Sequence, residues 1–401
     1  MPWSALLPPS DPPEEEPFEM RESRWRLRLG LSALVVLAAA TAASTSLGAG
    51  GPSPTAGPPD CPEPSRTVAS VDAPVPTGPD DLVREPWFRV DGTLSADGAL
   101  EGRTLAIGRF GSTERRTIAL ARESFVTGPF GHDLLYGSDD GNRSRLVLFD
   151  TTRDCIVELG DERQVVRQAT LDPSGSQVFE HRLDRRSRAD LGVFRRPLAG
   201  GVPDRVMAPL AGEEPYGVTY STELAWSVDG GLLAVQACGA RLCRTRILDV
   251  GSGAVSMVGG PEQGELIGLV AGRLVTYGAC AGLPCPILAT PLAGGQTSVI
   301  APAAGLALLA VTLDGARIVH ETEDGDLRVF DPTRADERVL ALPDGDLRLV
   351  PRAARSGGGA RLPGGWIALA RDARLNPDDD ETPFLIRIED GTSWRLAEVA
   401  R

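Results

Sequence analysis

The sequence predicts an all-β chain assembled from a repeated four-strand unit, and three observations carry that prediction. From Leu224 to Gly260 the run LAWSVDGGLLAVQACGARLCRTRILDVGSGAVSMVGG holds four short segments with period-2 alternation, separated by Asp-Gly, a turn flanked by cysteines, and Gly-Ser-Gly. The same design returns 42 residues later, where Cys280 and Cys285 repeat the spacing of Cys238 and Cys243 in LVTYGACAGLPCPILATPLAGG. Short fragments also recur far apart: RLVLFDTTRD at 145–154 against LRVFDPTRAD at 327–336, and Pro-Leu-Ala-Gly-Gly at both 197–201 and 291–295. A period of about 40 residues with four strands per unit is the signature of a β-propeller.

Composition sets the outer limits. The first 86 of the 401 residues read as tail, apolar segment and linker, which leaves enough chain for one large propeller. The net charge is −14 and the basic residues are dispersed, with no stripe or aromatic interleaving, so nucleic acid is not expected as a partner. All 41 basic residues are arginine. A chain without lysine has neither a P-loop lysine nor a Schiff-base lysine, which excludes the commonest phosphate cradle and lysine-dependent covalent catalysis.

In chain order, residues 1–28 are rich in Pro and Glu with little to bury, and read as a disordered cytoplasmic tail. Arg21, Arg24, Arg26 and Arg28 precede LGLSALVVLAAATAASTSLG, residues 29–48, an uncharged run of 20 residues. At about 1.5 Å per residue that run crosses a hydrocarbon core of roughly 30 Å. By the positive-inside rule the N-terminus stays in the cytoplasm and the rest is extracytoplasmic, a single-pass cell-membrane protein anchored through residues 29–48. A cleaved signal peptide competes with this reading. The second half of the run is weakly apolar Ala, Ser and Thr, and Met20 as the start would leave an ordinary signal sequence ending near Ala43 or Ala49 and a secreted product. Residues 49–86 form a Pro-rich linker, and residues 87–401 the propeller.

All six cysteines follow the apolar run. The two Cys-x4-Cys pairs fall in second-to-third strand hairpins, which predicts disulfides Cys238–Cys243 and Cys280–Cys285 in an oxidising compartment, with Cys61 and Cys155 left to tie the linker to the second unit. Zinc is the alternative, but it wants four ligands, and His132, His181 and His320 have no ligand-like spacing to these cysteines. No metal and no cofactor is expected.

Units centred near 105, 140, 180, 235, 278, 318 and 370 make seven blades, although six or eight also fit. Their first-to-second strand turns are Pro173-Ser174-Gly175, Asp229-Gly230 and Asp314-Gly315. With Ser-x-Asp-Gly or Asp-Pro-Ser-Gly before a strand such as LLAVQA or ARIVHE, and then RILD or RVFD, residues 87–401 resemble TolB-like and WD-repeat-like propellers. That resemblance implies a fold and no particular activity. In such a fold Phe149, Phe194, Trp226, Phe330, Trp366 and Trp394 are expected as core rather than ligand platforms.

The chemistry is sparse. There is no Gly-x-Ser-x-Gly elbow for a serine hydrolase, and IEDGTSW at 388–394 departs from the Asp-box spacing of propeller sialidases and reads as a hairpin turn. Asp378, Asp379, Asp380 and Glu381 lack the spacing of a calcium loop and read as a charged loop. His320 sits in the alternating strand ARIVHE, and neither His132 nor His181 lies near a motif nucleophile, so no catalytic residue is assigned. The expected binding surface is the rim of second-to-third strand hairpins, basic at Arg182, Arg185, Arg186 and Arg188, acidic at Glu321, Glu323, Asp324 and Asp326 and at Asp378 to Glu381. The expected function is a non-catalytic binding or scaffold module for a protein or envelope polymer. The alternatives are a propeller enzyme acting on a glycan or envelope polymer, and a sensor signalling through a partner of the short tail. The anchor reading predicts that the mature protein keeps its N-terminus and fractionates with membranes. Mass spectrometry finding a mature N-terminus between Ala43 and Gly51 would replace it with the secreted reading.

Overall fold

The computed structural model describes residues 86–395 except 95–99, 110–114, 122, 131–132, 141–142, 151–152, 160–163, 210–220, 239–242, 281–282, 313–314, 341–347, 350–365 and 371–383. The chain divides into two units, residues 1–56 with 92–101 and residues 57–91 with 102–401, and the packing below belongs to the second. The tail, the apolar run and the linker up to residue 85 lie outside the described residues, and Pro86, the linker's last residue, begins the first strand. No helix among the described residues is long and apolar enough to cross a membrane.

Every described element is a strand. The first sheet has the order β1 (Pro86–Leu94), β2 (Leu100–Arg109), β3 (Arg115–Ala119). The second is β4 (Glu123–Phe130), β5 (Asp133–Asp139), β6 (Ser144–Asp150), β7 (Cys155–Glu158). The third is β8 (Gln164–Leu171), β9 (Gln177–Asp184), β10 (Asp190–Pro197), β11 (Asp204–Met207). The fourth is β12 (Ser221–Trp226), β13 (Leu232–Cys238), β14 (Cys243–Asp249), β15 (Val255–Val258). The fifth is β16 (Gln263–Val270), β17 (Arg273–Gly278), β18 (Cys285–Pro291), β19 (Ser298–Ala304). The sixth is β20 (Ala307–Thr312), β21 (Gly315–Glu321), β22 (Leu327–Asp331), β23 (Asp336–Val339). The seventh is β24 (Arg348–Leu349), β25 (Trp366–Ala370), β26 (Phe384–Arg387), β27 (Ser393–Arg395). Described neighbours in these sheets pair antiparallel, and each expected repeat centre falls within one sheet.

The sheets pack face to face because their middle strands are apolar on both sides. In β13, Leu233 and Val235 face the third sheet, beside Phe179, Val193 and Trp226, while Ala234 faces the fifth, beside Leu269 and Leu274. Comparable buried clusters lie between the first and second sheets around Phe149, between the second and third around Leu148, between the fifth and sixth around Ile318, and between the sixth and seventh around Ile386. Burying one such Leu, Ile or Phe contributes about 1.5–3 kcal/mol. Phe179 and Trp226 meet edge to face at 5.0 Å and 85°. Phe330 packs partly buried against the fifth-to-sixth cluster, and Trp366 and Trp394 fall on β25 and β27. The first strands β4, β8, β12, β16 and β20 touch in succession, whereas the last strands β15 and β23 are largely exposed. Such an inside-to-outside gradient is what a propeller blade requires.

The recurring fragments are recurring turns. Pro-Leu-Ala-Gly-Gly joins third to fourth strand in two sheets, with φ of 99° and 132° at Gly200 and Gly201 and 90° and 129° at Gly294 and Gly295. Asp-Thr-Thr-Arg-Asp and Asp-Pro-Thr-Arg-Ala occupy the same connection elsewhere, with left-handed residues at Asp154 (φ 57°) and Ala335 (φ 52°). In each, the leading aspartate accepts from the turn backbone: Asp150 from Arg153 N–H at 3.0 Å, Asp331 from Thr333 N–H at 2.8 Å. IEDGTSW is such a turn as well, with Gly391 N–H donating to Arg387 O at 2.8 Å.

Close approach constrains glycine positions as well. Gly192 lies at a bulge of β10 with φ 92°, and a Cβ there would sit 2.1 Å from the Met207 carbonyl oxygen, whereas a Cβ at Gly200 meets nothing within 4 Å. Gly200→Ala is expected to cost about 1–2 kcal/mol, the left-handed penalty alone. Gly192→Ala is expected to cost roughly 3–4 kcal/mol, because overpacking is added to that strain. Urea denaturation of the two variants checks this, and equal losses would contradict it.

Candidate functional site

In a sheet of antiparallel strands taken in sequence order, the second-to-third hairpin leaves from the end opposite the first-to-second and third-to-fourth connections. Four of these hairpins carry distinctive chemistry. In the third sheet the hairpin runs from Asp184 to Ala189, between β9 and β10. Asp184 Oδ1 accepts from the N–H groups of Arg186 (3.1 Å) and Ser187 (2.7 Å) and from the Ser187 hydroxyl (2.7 Å). Arg188 N–H closes the turn on Asp184 O at 2.8 Å, with Arg188 in the left-handed region at φ 59°.

That unusual backbone conformation is paired with an ionic anchor. Arg185 Nη2 donates to Asp139 Oδ1 and Arg188 Nη1 to Asp139 Oδ2, both at 3.1 Å. Asp139 ends β5 in the preceding sheet and its side chain is only 6% exposed. The two guanidiniums therefore clamp one hairpin to its neighbour. Deeper in β9, Arg182 donates through Nε to Glu180 Oε2 at 2.7 Å and through Nη1 to Gln164 Oε1 at 2.9 Å, and its guanidinium lies 4.4 Å from the Phe194 ring centroid. Arg196 Nε donates to the other oxygen of Glu180 at 2.5 Å, so a carboxylate with no exposure is held between two arginines. Of the four arginines that the sequence marks for binding, Arg182 is buried, Arg185 and Arg188 are half-buried on Asp139, and Arg186 is exposed.

The fourth and fifth sheets carry the expected disulfides. Cys238 and Cys243 are direct partners across β13 and β14, with Cα atoms 4.0 Å apart, and Cys280 and Cys285 close the next hairpin at 6.1 Å. Cys155 is also disulfide-bonded, and Cys61, its expected partner, lies outside the described residues. In the sixth sheet Gly325 N–H donates to Thr322 O at 3.0 Å, which projects Glu323, Asp324 and Asp326 into solvent while Glu321 stays buried. His132 and the run Asp378 to Glu381 lie outside the described residues.

The two described histidines are both engaged. His181 Nε2 meets Asp190 Oδ1 at 3.0 Å, and His320 Nε2 meets Glu337 Oε1 at 2.9 Å. Burial alone would raise the Glu337 pKa, but hydrogen bonds from Arg328 and His320 outweigh it and hold the carboxyl below its usual range. At 1% and 2% exposure neither imidazole is open to a substrate. No cluster of three or more His, Cys, Asp or Glu side chains placed to hold a metal occurs among the described residues.

Sequence reasoning missed Asp139 and Glu180. Asp139 stands before Asp-Gly-Asn and reads as a turn residue, and nothing local points to arginines 46 and 49 positions away. A hairpin with three arginines in four positions was the one available signal that a buried counter-charge was needed.

Comparison with known proteins bears on the fold. No protein-family model matches the sequence, and no curated protein matches it. Among solved structures, a prolyl endopeptidase superposes with a TM-score of 0.51 at 11% identity, over 79% of this chain and 50% of that one. These findings support a β-propeller. The chain spans about half the length of that structure. TolB from Acinetobacter baumannii is similar at 14% identity and TM-score 0.44, over 68% of this chain and 67% of that one. An oligogalacturonate lyase in complex with manganese is similar at 11% identity and TM-score 0.47, over 78% of this chain and 85% of that one.

The Asp184 turn makes a pH prediction. Ser187 N–H and hydroxyl, helped by Arg186, lower its pKa in the folded chain. A depressed folded-state pKa stabilises fully above the unfolded value, near 4, and the contribution disappears as pH falls through the folded value. Asp184→Ala is therefore expected to melt below wild type at pH 7, with the gap closing under about pH 4. Thermal melts across pH 2–8 test it, and a gap independent of pH would mean that the carboxylate charge plays no part.

Proposed function

We propose that this chain is a membrane-anchored, extracytoplasmic propeller, seven-bladed, that binds a protein or envelope polymer through its second-to-third hairpin end without catalysing a reaction. The supporting observation is the Asp139 clamp. It fixes a basic hairpin before any partner arrives, leaving Arg186 exposed. Preorganised charge lowers the ordering cost of association and raises on-rate and specificity. The sixth sheet contributes the opposite sign with Glu323, Asp324 and Asp326. The anchor at residues 29–48 and the linker would carry this surface on the outer side of the membrane.

The test uses the full chain. Arg186→Glu, and separately Asp378, Asp379 and Asp380→Ser, are compared with wild type in pull-downs of envelope proteins and polymers. Arg185 and Arg188 are left in place, because both pair with the buried Asp139 and removing them would disturb the hairpin as well as the surface. Recovery is expected to fall severalfold in at least one variant, and to fall further as salt rises. Normal recovery in both, with losses confined to changes in the third-to-fourth turns, would move the site to the opposite end. Product formation from an envelope glycan in the same incubation would favour the enzyme reading instead.

A further inference from the structure

The last strand of a sheet presents unpaired backbone donors and acceptors along its outer side, and proteins protect such edges with charge, proline or burial. Six of the seven sheets follow that rule. Their last strands carry Arg115 and Arg116 in β3, Glu158 in β7, Asp204 and Arg205 in β11, Pro302 in β19, Asp336, Glu337 and Arg338 in β23, and Arg395 in β27. The exception is β15, Val-Ser-Met-Val, which has neither a charged residue nor a proline; β19 is also uncharged, with Val299 61% exposed, but Pro302 interrupts it. β15 is also open to solvent: Val255 is 44% exposed and Met257 57%.

Register gives this edge two distinct sides. Val255 and Met257 stand opposite Leu248 and Arg246 and project the same way, whereas Val258, opposite Thr245, packs into the fourth-to-fifth cluster. An added strand would thus meet a backbone ladder flanked on one side by two exposed apolar side chains.

We propose that β15 is a docking edge for β-strand addition, accepting an extended, uncharged segment of a partner protein as a fifth strand of the fourth sheet. The occupant is an uncharged partner segment rather than a second copy, because each copy carries −14, which opposes approach, while an uncharged segment meets no such repulsion. A short peptide gains affinity from main-chain hydrogen bonds and specificity from alternate side chains. The segment is about four or five residues long, has apolar side chains at the positions beside Val255 and Met257, and has no proline where β15 needs a donor.

The probe is a fluorescein-labelled octapeptide of alternating valine and serine, with a second version N-methylated at alternate residues. Fluorescence anisotropy against the full chain is expected to give saturable binding, weakened at least tenfold in the Val255→Lys, Met257→Lys double variant and in the N-methylated peptide. Val339→Lys, on the already charged edge β23 and 56% exposed, is expected to bind as wild type. Thermal melts confirm that the double variant is folded, and the N-methylated peptide tests the idea on wild type without any variant. No saturable binding, or equal binding of the N-methylated peptide, overturns the proposal. A concentration-dependent dimer in sedimentation that the double variant abolishes also overturns it, by assigning the edge to a second copy.

Discussion

The constraint on which this structure depends is that its sheets are apolar on both faces. A sheet with one apolar face is satisfied by a single partner layer, but the middle strands here send Phe179 one way and Val178 the other, Leu233 one way and Ala234 the other. Each sheet then needs a neighbour on both sides, and the chain supplies it by repeating one unit. Stability is shared among successive interfaces rather than held in one core, with every sheet dependent on those that flank it.

Polar groups that fall into these interfaces are resolved by specific pairing. Gln236, fully buried, donates to the Gly264 carbonyl at 3.0 Å and accepts from Leu266 N–H at 2.7 Å, which ties the fourth sheet to the fifth. Tyr277 accepts from Ala307 N–H at 2.5 Å and does the same between fifth and sixth. Such bonds add little net energy, about 1 kcal/mol each, but a buried polar group left unpaired costs as much or more. They fix how neighbouring sheets are registered, which apolar contact alone leaves loose.

The strands were legible because their turns are local. Asp-Gly, Pro-Leu-Ala-Gly-Gly and Asp-x-Thr-Arg each impose a backbone path within five residues, so the four strands of residues 221–258 and the two hairpin disulfides followed from spacing alone. The hairpin arginines were legible as residues but not as roles. Whether Arg185 and Arg188 face solvent or a buried aspartate is decided by which sheet lies alongside, and that information is spread over nearly fifty residues of chain. Glu180 was opaque for the same reason: alternation along β9 marks an inward position, but the guanidiniums that make it tolerable come from β9 and β10 together.

The Asp139 clamp also limits how the unit can be taken apart. Repeat proteins invite the exchange of single modules, on the assumption that a loop carries its shape with it. Here the third unit's most charged loop has two of its side chains anchored by the last residue of a strand in the second. Moved alone into another scaffold, it would keep the turn that Asp184 closes but lose the Asp139 carboxylate that its two guanidiniums grip. The transferable module in this chain is a pair of adjacent units.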